Sequence, residues 1–149
     1  MYSRHHLVVS AAVAAGLVAA LPLASTPSGV VVAWGTLTAA GVLIDVDHFL
    51  VARLVRGDWA NARRCLDDPR LVVGDQSAIF EAGDVWPLQR LLSHVLIAPA
   101  AVLAAWTVSD AAALALAVVL YAHLLCDLLW DVWRLETYHA DVLAVARGG

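Results

Sequence analysis

Apolar residues gather into four long runs. Residues 7–23 form an apolar stretch of 17, residues 29–44 one of 16, residues 91–108 one of 18 that holds His94, and residues 111–130 one of 20 that holds His123 and Asp127. A membrane-crossing helix needs roughly 17 to 25 residues at about 1.5 Å each, so the first two runs must recruit their flanks. Those flanks are His5 and His6 for the first and residues 45–50 for the second. The pattern predicts an all-α, single-domain protein: a four-transmembrane-helix bundle with spans at about 5–23, 29–50, 91–108 and 111–130. A long connection, 51–90, joins the second and third spans, and a polar tail, 131–149, follows the fourth.

The links between runs differ in character. Residues 24–28 contain Pro27 and two serines but no charge, and Ser109-Asp110 is a two-residue step; both read as tight turns. Every arginine lies on the other side of the four-span layout: Arg4, then Arg53, Arg56, Arg63, Arg64, Arg70 and Arg90, then Arg134 and Arg147. The excess of basic residues on cytoplasmic loops places that side, and both termini, in the cytoplasm of a multi-pass membrane protein. Within the connection, residues 58–66 read as a short amphipathic helix with Asp58 as its N-cap, ended by Asp67-Asp68-Pro69. A segment of this length is expected to be partly ordered, and 51–90 is the surface offered to a cytoplasmic protein partner.

Composition agrees with the lipid bilayer as the main surrounding. The chain of 149 residues is 62% hydrophobic with a mean hydropathy of +0.78, well above the roughly 45–50% apolar content of soluble domains. A net charge of −4 without a basic block argues against a nucleic-acid partner. Cys65 and Cys126 form neither a zinc-finger spacing nor a disulfide framework. A second reading of the N-terminus makes 7–23 a secretory signal cleaved near 24–26, which would remove His5 and His6.

Chemistry enters at Asp45-Val46-Asp47-His48, where two acids and an imidazole close the second apolar run. An acid at the centre of a membrane helix costs about 2.5–3.5 kcal/mol, so such residues imply function or partners. The alternating topology brings His6, Asp45, Asp47, His48, His94, His123 and Asp127 to the cytoplasmic ends of all four spans. His123 and Asp127 are one helical turn apart, Asp131 continues their face, and Asp45 and His48 share another. Asp47 falls about 100° from His48 in an ideal helix, which assigns it to a second metal or to a cap. Local readings exist for each group: Asp45 capping a helix or meeting Arg53, Asp131 meeting Arg134, His123 bonding Asp127. Taken together, inward-facing imidazoles and carboxylates on neighbouring helices are how bundles build metal sites. The set fits a divalent metal ion, with zinc, iron and manganese all compatible. The candidate ligands are His6, Asp45, Asp47, His48, His94, His123 and Asp127, with Asp47 bridging two ions or serving as general base. Arg90 stands ready to hold a substrate anion.

The order of these elements resembles the membrane-bound, metal-dependent hydrolases grouped with LexA-binding inner-membrane proteins. The matching pieces are His6-Leu7 with Ser10, Ile44-Asp45-Val46-Asp47-His48, Ser93-His94, and Tyr121-Ala122-His123-Leu124-Leu125-Cys126-Asp127. Two positions depart from that pattern: Leu43-Ile44 stands where a proline commonly precedes the acid pair, and Gln89 stands where the family has the first His of a His-Arg-Gly-x-Thr-His-Ser run. The resemblance implies an inner-membrane, metal-dependent hydrolase; with the ligand set, the leading expectation is a divalent metal ion, zinc first, and hydrolysis of an ester or phosphoester, including that of a lipid, at the cytoplasmic face. With Gln89 in place of a ligand or general acid, it implies one metal fewer or lost turnover. A metal-stabilised membrane scaffold that binds a partner without catalysis is the alternative. No Gly-x-Ser-x-Gly elbow supports a serine hydrolase.

Overall fold

The computed structural model describes residues 3–72, 78–81 and 83–147. Among them the chain is helical and contains no strand. The helices are α1 (Ser3–Ala20), α2 (Pro27–Leu43), α3 (Asp47–Arg56), α4 (Ala60–Asp67), α5 (Pro87–Trp106), α6 (Asp110–Trp133) and α7 (Leu135–Arg147). Four segments are long and apolar enough to cross a membrane: Ser3–Ala20, Pro27–Arg56, Pro87–Trp106 and Asp110–Trp133.

Short polar residues set the helix starts. Thr26 caps α2, its side chain accepting from the Gly29 amide at 3.1 Å, with Pro27 in the first turn, where its missing N–H costs nothing. Ser109 caps α6 by accepting from the Ala112 amide at 3.3 Å. Gln89 reaches back from the first turn of α5 to accept from the Trp86 amide at 3.0 Å. Asp58 accepts from the Ala60 amide at 2.8 Å, so the expected amphipathic helix forms as α4 with its acid just before the start. Gly57, at φ +83°, ends α3 and donates to the Arg53 carbonyl at 3.0 Å.

Helix α6 is the centre of the bundle and packs against α1, α2 and α5, while α1 also lies along α2. The shared core is small: Ala14, Leu37, Ala115 and Val119 are buried, and small side chains let the backbones approach. Gly41 takes this furthest. A Cβ there would collide with the Ser10 side chain and stand 2.8 Å from Val119 Cγ1. The outward faces are apolar instead of polar, with Val31, Val32, Leu96, Leu103, Trp106 and Leu129 all exposed. On four helices long and apolar enough to cross a membrane, such continuous apolar exposure suits lipid contact. A cavity of about 240 Å³ opens between α2, α5 and α6, lined by residues including Leu23, Thr36, Leu37, Ala105 and Leu116; no His or Asp lines it.

The structure adds detail to the expected layout in two places. The second span does not continue as one α-helix through the acid pair, because the chain tightens into a 3₁₀ turn at Ile44–Val46 before α3 begins. The tail after residue 130 is helical: α6 runs on to Trp133 and α7 follows after Arg134. Among the described residues of the long connection, the chain forms the end of α3, α4 and a 3₁₀ turn at Pro69–Val72.

Candidate metal centre

Five elements deliver the polar residues to one level of the bundle. The first turn of α1 supplies His6, the 3₁₀ turn Asp45, the start of α3 Asp47 and His48, α5 His94, and α6 His123 and Asp127. His6, His94 and His123 are among the most completely buried side chains in the protein, inside a molecule whose exterior is apolar. Buried polar groups on this scale persist only where they satisfy one another or a ligand.

Two groups of side chains could hold a metal ion: His6, Asp45, His123 and Asp127 in one, and Asp45, His48 and His94 in the other. Asp45 belongs to both. Its Oδ2 lies 3.9 Å from His6 Nε2, while Oδ1 lies 3.5 Å from His48 Nε2 and 3.3 Å from His94 Nε2. Asp127 takes His6 Nε2 at 3.2 Å on Oδ1 and has His123 Nε2 at 3.5 Å from Oδ2. The imidazoles pair likewise, His6 stacked on His123 at 3.8 Å between centroids and His48 on His94 at 5.3 Å.

The outward nitrogens decide the tautomers. His123 Nδ1 donates to the Gly41 carbonyl at 2.7 Å, since a carbonyl can only accept. His94 Nδ1 donates to the Asp47 carboxylate at 2.9 Å. Both rings, when neutral, therefore turn Nε2 lone pairs inward, and those two atoms face one another at 3.2 Å. Two lone pairs at that separation repel unless a proton or a cation lies between them. Two imidazole ligands at about 2.0–2.1 Å on one tetrahedral ion would stand about 3.3 Å apart. Asp45 Oδ1 and His48 Nε2, buried at the same level, have no hydrogen-bond partner. The chemistry of the donor set therefore fits a divalent cation.

Asp47 sits apart from both groups. The 3₁₀ turn rotates it so that Oδ2 meets His94 Nδ1 instead of the shared interior, and Oδ1 rests 3.7 Å from His48 Nε2 without a hydrogen bond. Arg90 is engaged on two sides, its Nε 3.4 Å from Asp127 Oδ2 and its Nη2 donating to Asp131 Oδ1, which also accepts from Tyr138. Asp131 thus meets Arg90, not Arg134. Gln89 lies outside the layer as the cap of α5. Neither cysteine enters a candidate group, His139 is exposed on α7, and the His5 ring lies 5.8 Å from that of Trp130.

Two contributors escaped the sequence reading. Gly41 acts through its carbonyl, which the switch from α to 3₁₀ bonding just beyond it leaves for His123. Phe80, from the connection, sets its ring 6.1 Å from that of His48, edge to face, and 5.1 Å from that of Phe49. Its neighbour Ile79 is fully buried, its carbonyl accepting from Asn61 Nδ2 at 2.7 Å. Compared with known proteins, this chain matches no family model, no curated protein and no solved structure.

Proposed function

We propose that this protein is a membrane-bound, metal-dependent hydrolase that cleaves an ester or phosphoester, including that of a lipid, at the cytoplasmic boundary of the bilayer, with both termini in the cytoplasm. The observation that carries the metal reading is the inward convergence of His94 and His123 Nε2 at 3.2 Å, with both tautomers fixed from outside. The hydrolase reading adds the motif resemblance and the position of the cluster at the end of every span. Zinc suits imidazole and carboxylate donors that approach a tetrahedral spacing.

His6, Asp45, His48, His94, His123 and Asp127 would hold the metal, which would supply Lewis acidity and lower the pKa of a water to about 7. The remaining residues prepare the site. Asp47 and the Gly41 carbonyl hold the two Nδ1–H groups and so aim His94 and His123 inward. Arg90 anchors Asp127 through Nε and offsets part of the charge of that carboxylate. Asp47 Oδ1, buried and without a hydrogen bond, is the acceptor for a proton leaving the attacking water. Gln89 serves the start of α5, its Oε1 accepting from the Trp86 amide.

Metal content and turnover decide the matter together. Protein purified in detergent should carry divalent metal, hydrolyse at least one member of a panel of esters and phosphoesters, lose that activity to a chelator and regain it with Zn²⁺. His123→Ala should lose both metal and turnover. Bound metal without turnover on any substrate would turn the assignment to the scaffold, and absence of metal would refute both.

A further inference from the structure

Asp45, His94 and His123 gather tightly. Asp45 Oδ1 lies 3.3 Å from His94 Nε2 and 3.4 Å from His123 Nε2, and the two imidazole nitrogens are 3.2 Å apart. They come from the 3₁₀ turn that ends α2, from α5 and from α6. The same α2, α5 and α6 form walls of the apolar cavity of about 240 Å³, through Ala33, Thr36 and Ala40, through Ala105, and through Ala112 and Leu116. Ala40 precedes Gly41, whose carbonyl holds His123, and stands five residues before Asp45, about 7.5 Å at the helical rise. Ala105 and Ala112 lie beside the step that joins α5 to α6. The cavity therefore extends from below these three donors toward the opposite end of the bundle.

Helices α2 and α5 each pack on α6 but not closely on one another, which leaves a seam between them. At the level of the donors the seam is shut, because the 3₁₀ turn and α3 lie against α5. Val32 and Leu103, near the lining residues in sequence, are exposed, so the seam opens on the same apolar exterior as the rest of the bundle. The lining carries no charged side chain, and Thr36 is its one hydroxyl. An apolar cavity of roughly 150 Å³ already stays dry and takes a guest the size of benzene, so this larger one suits hydrocarbon and not water. A second helix, about 10–12 Å across, is too thick for it. Within a bilayer the remaining occupant of that shape is an acyl chain. We propose that the cavity holds an acyl chain of the substrate, with the ester or phosphoester of that lipid at Asp45, His94 and His123 and the chain entering sideways between α2 and α5. This rests on the hydrolase reading above and narrows its substrate to an acyl lipid of the surrounding membrane. Lipid tails are as apolar as the lining, so the cavity selects by shape and by where it leaves the head of the lipid.

Photolabelling of the full-length protein in phosphatidylcholine vesicles, with phosphatidic acid that carries a diazirine at the end of one acyl chain, tests the site without relying on activity. The label should fall on Ala105, Ala112 and Leu116 in preference to the exposed Val31, Val32 and Leu96, and unlabelled phosphatidic acid should compete it away. A diazirine beside the ester should instead label around Ala40. Ala105→Phe fills the cavity; it should suppress the labelling and lower the ratio of kcat/KM for a long-chain lipid over its acetyl-chain analogue by about tenfold or more. Ala100→Phe, on the exposed face of α5, should keep the native labelling and the native ratio. The labelling pattern of the native protein keeps the test decisive if Ala105→Phe fails to fold. Label spread evenly over the exterior, or chain ends found around Ala40, would overturn the chain site and leave a hydrolase of other esters standing. Cavity labelling without turnover of any lipid would leave a lipid site and overturn the hydrolase.

Discussion

Asp47 Oδ2 accepts the Nδ1 proton of His94 at 2.9 Å, and this contact separates the two acids of the Asp45-Val46-Asp47 triplet into different roles. Asp45 belongs to both candidate groups, while Asp47 holds His94 from behind and leaves its Oδ1 without a hydrogen bond. Substitutions at Asp47 should separate those tasks. Asn can still accept from Nδ1 through its amide oxygen, so Asp47→Asn should keep its metal and lose about 10²–10⁴-fold in turnover with the base. Asp47→Ala removes the acceptor too, and should weaken metal affinity by about 10–100-fold. Equal metal loss in the two variants would show that Asp47 is a ligand itself.

Gly41 brings α1, α2 and α6 together and passes its carbonyl to His123, so adding a methyl should be felt twice. Gly41→Ala drives a Cβ into Ser10 and Val119, an overpacking that costs about 1–3 kcal/mol, and displaces the acceptor that fixes the His123 tautomer. Gly16, in the interior of α1, has nothing within 4 Å of its would-be Cβ, and Ala there should be neutral or stabilise by up to about 1 kcal/mol. Thermal unfolding in detergent should rank the two in opposite directions, with metal lost only from Gly41→Ala. Matching behaviour would remove the close approach as an explanation.

The four spans and the level of the site were readable because both follow from one-dimensional quantities. Run length fixes the helices, and alternation of direction then brings His6, Asp45, His94, His123 and Asp127 to a common depth. What escaped depends on backbone detail or on distant partners. A change from α to 3₁₀ bonding at Ile44–Val46 turns Asp47 away from where ideal spacing sends it. Arg90 and Asp131 are 41 residues apart, so their pairing is a product of α5 packing on α6 and leaves no local trace, whereas the nearer Arg134 drew the local expectation. Gln89 differs again: a Pro-x-Gln start carries its role as a cap, whereas the motif resemblance implies only a missing His at that position. Gly41 had a weaker signal, a glycine in an apolar helix four residues before the acid pair.

The connection carries its own buried polar cluster, centred on Asp84. Burial would raise the Asp84 carboxyl, but hydrogen bonds from Arg56 at 2.7 Å, Asn61 at 2.6 Å and the Glu81 amide at 2.9 Å outweigh it and hold the group below its ordinary value. A depressed carboxylate stabilises the fold above its unfolded pKa, and that contribution fades as pH falls through the folded one. Among the described residues, Glu81, which also pairs with Arg64, and Asp58 are the other acids near Arg56. Asp84→Asn should therefore speed proteolysis of the connection at neutral pH, and the gap from native protein should persist down to the ordinary carboxylate range and close below it. A gap that widens on acidification would contradict the sign. Because Asn61 also holds the backbone beside Phe80, Asn61→Ala should loosen the same segment and expose His48 to solvent exchange.

Orientation in the bilayer rests on arginine placement and can be read without any knowledge of the chemistry. All nine arginines fall at the ends of the spans that hold the polar layer or in the segments joined to those ends. The bias of basic residues toward cytoplasmic segments predicts α3, α4 and α7 inside, with the candidate metal centre at the inner boundary. Reporters fused after Arg70 and after Arg147 should both be active in the cytoplasm, and one fused at Ser109, in the short step between α5 and α6, should be active outside. Moving two arginines into the 24–28 turn should weaken that preference, since the bias counts basic residues close to the span ends. Outside activity of the Arg70 fusion in the native sequence would place the centre at the opposite face and exclude a cytoplasmic substrate.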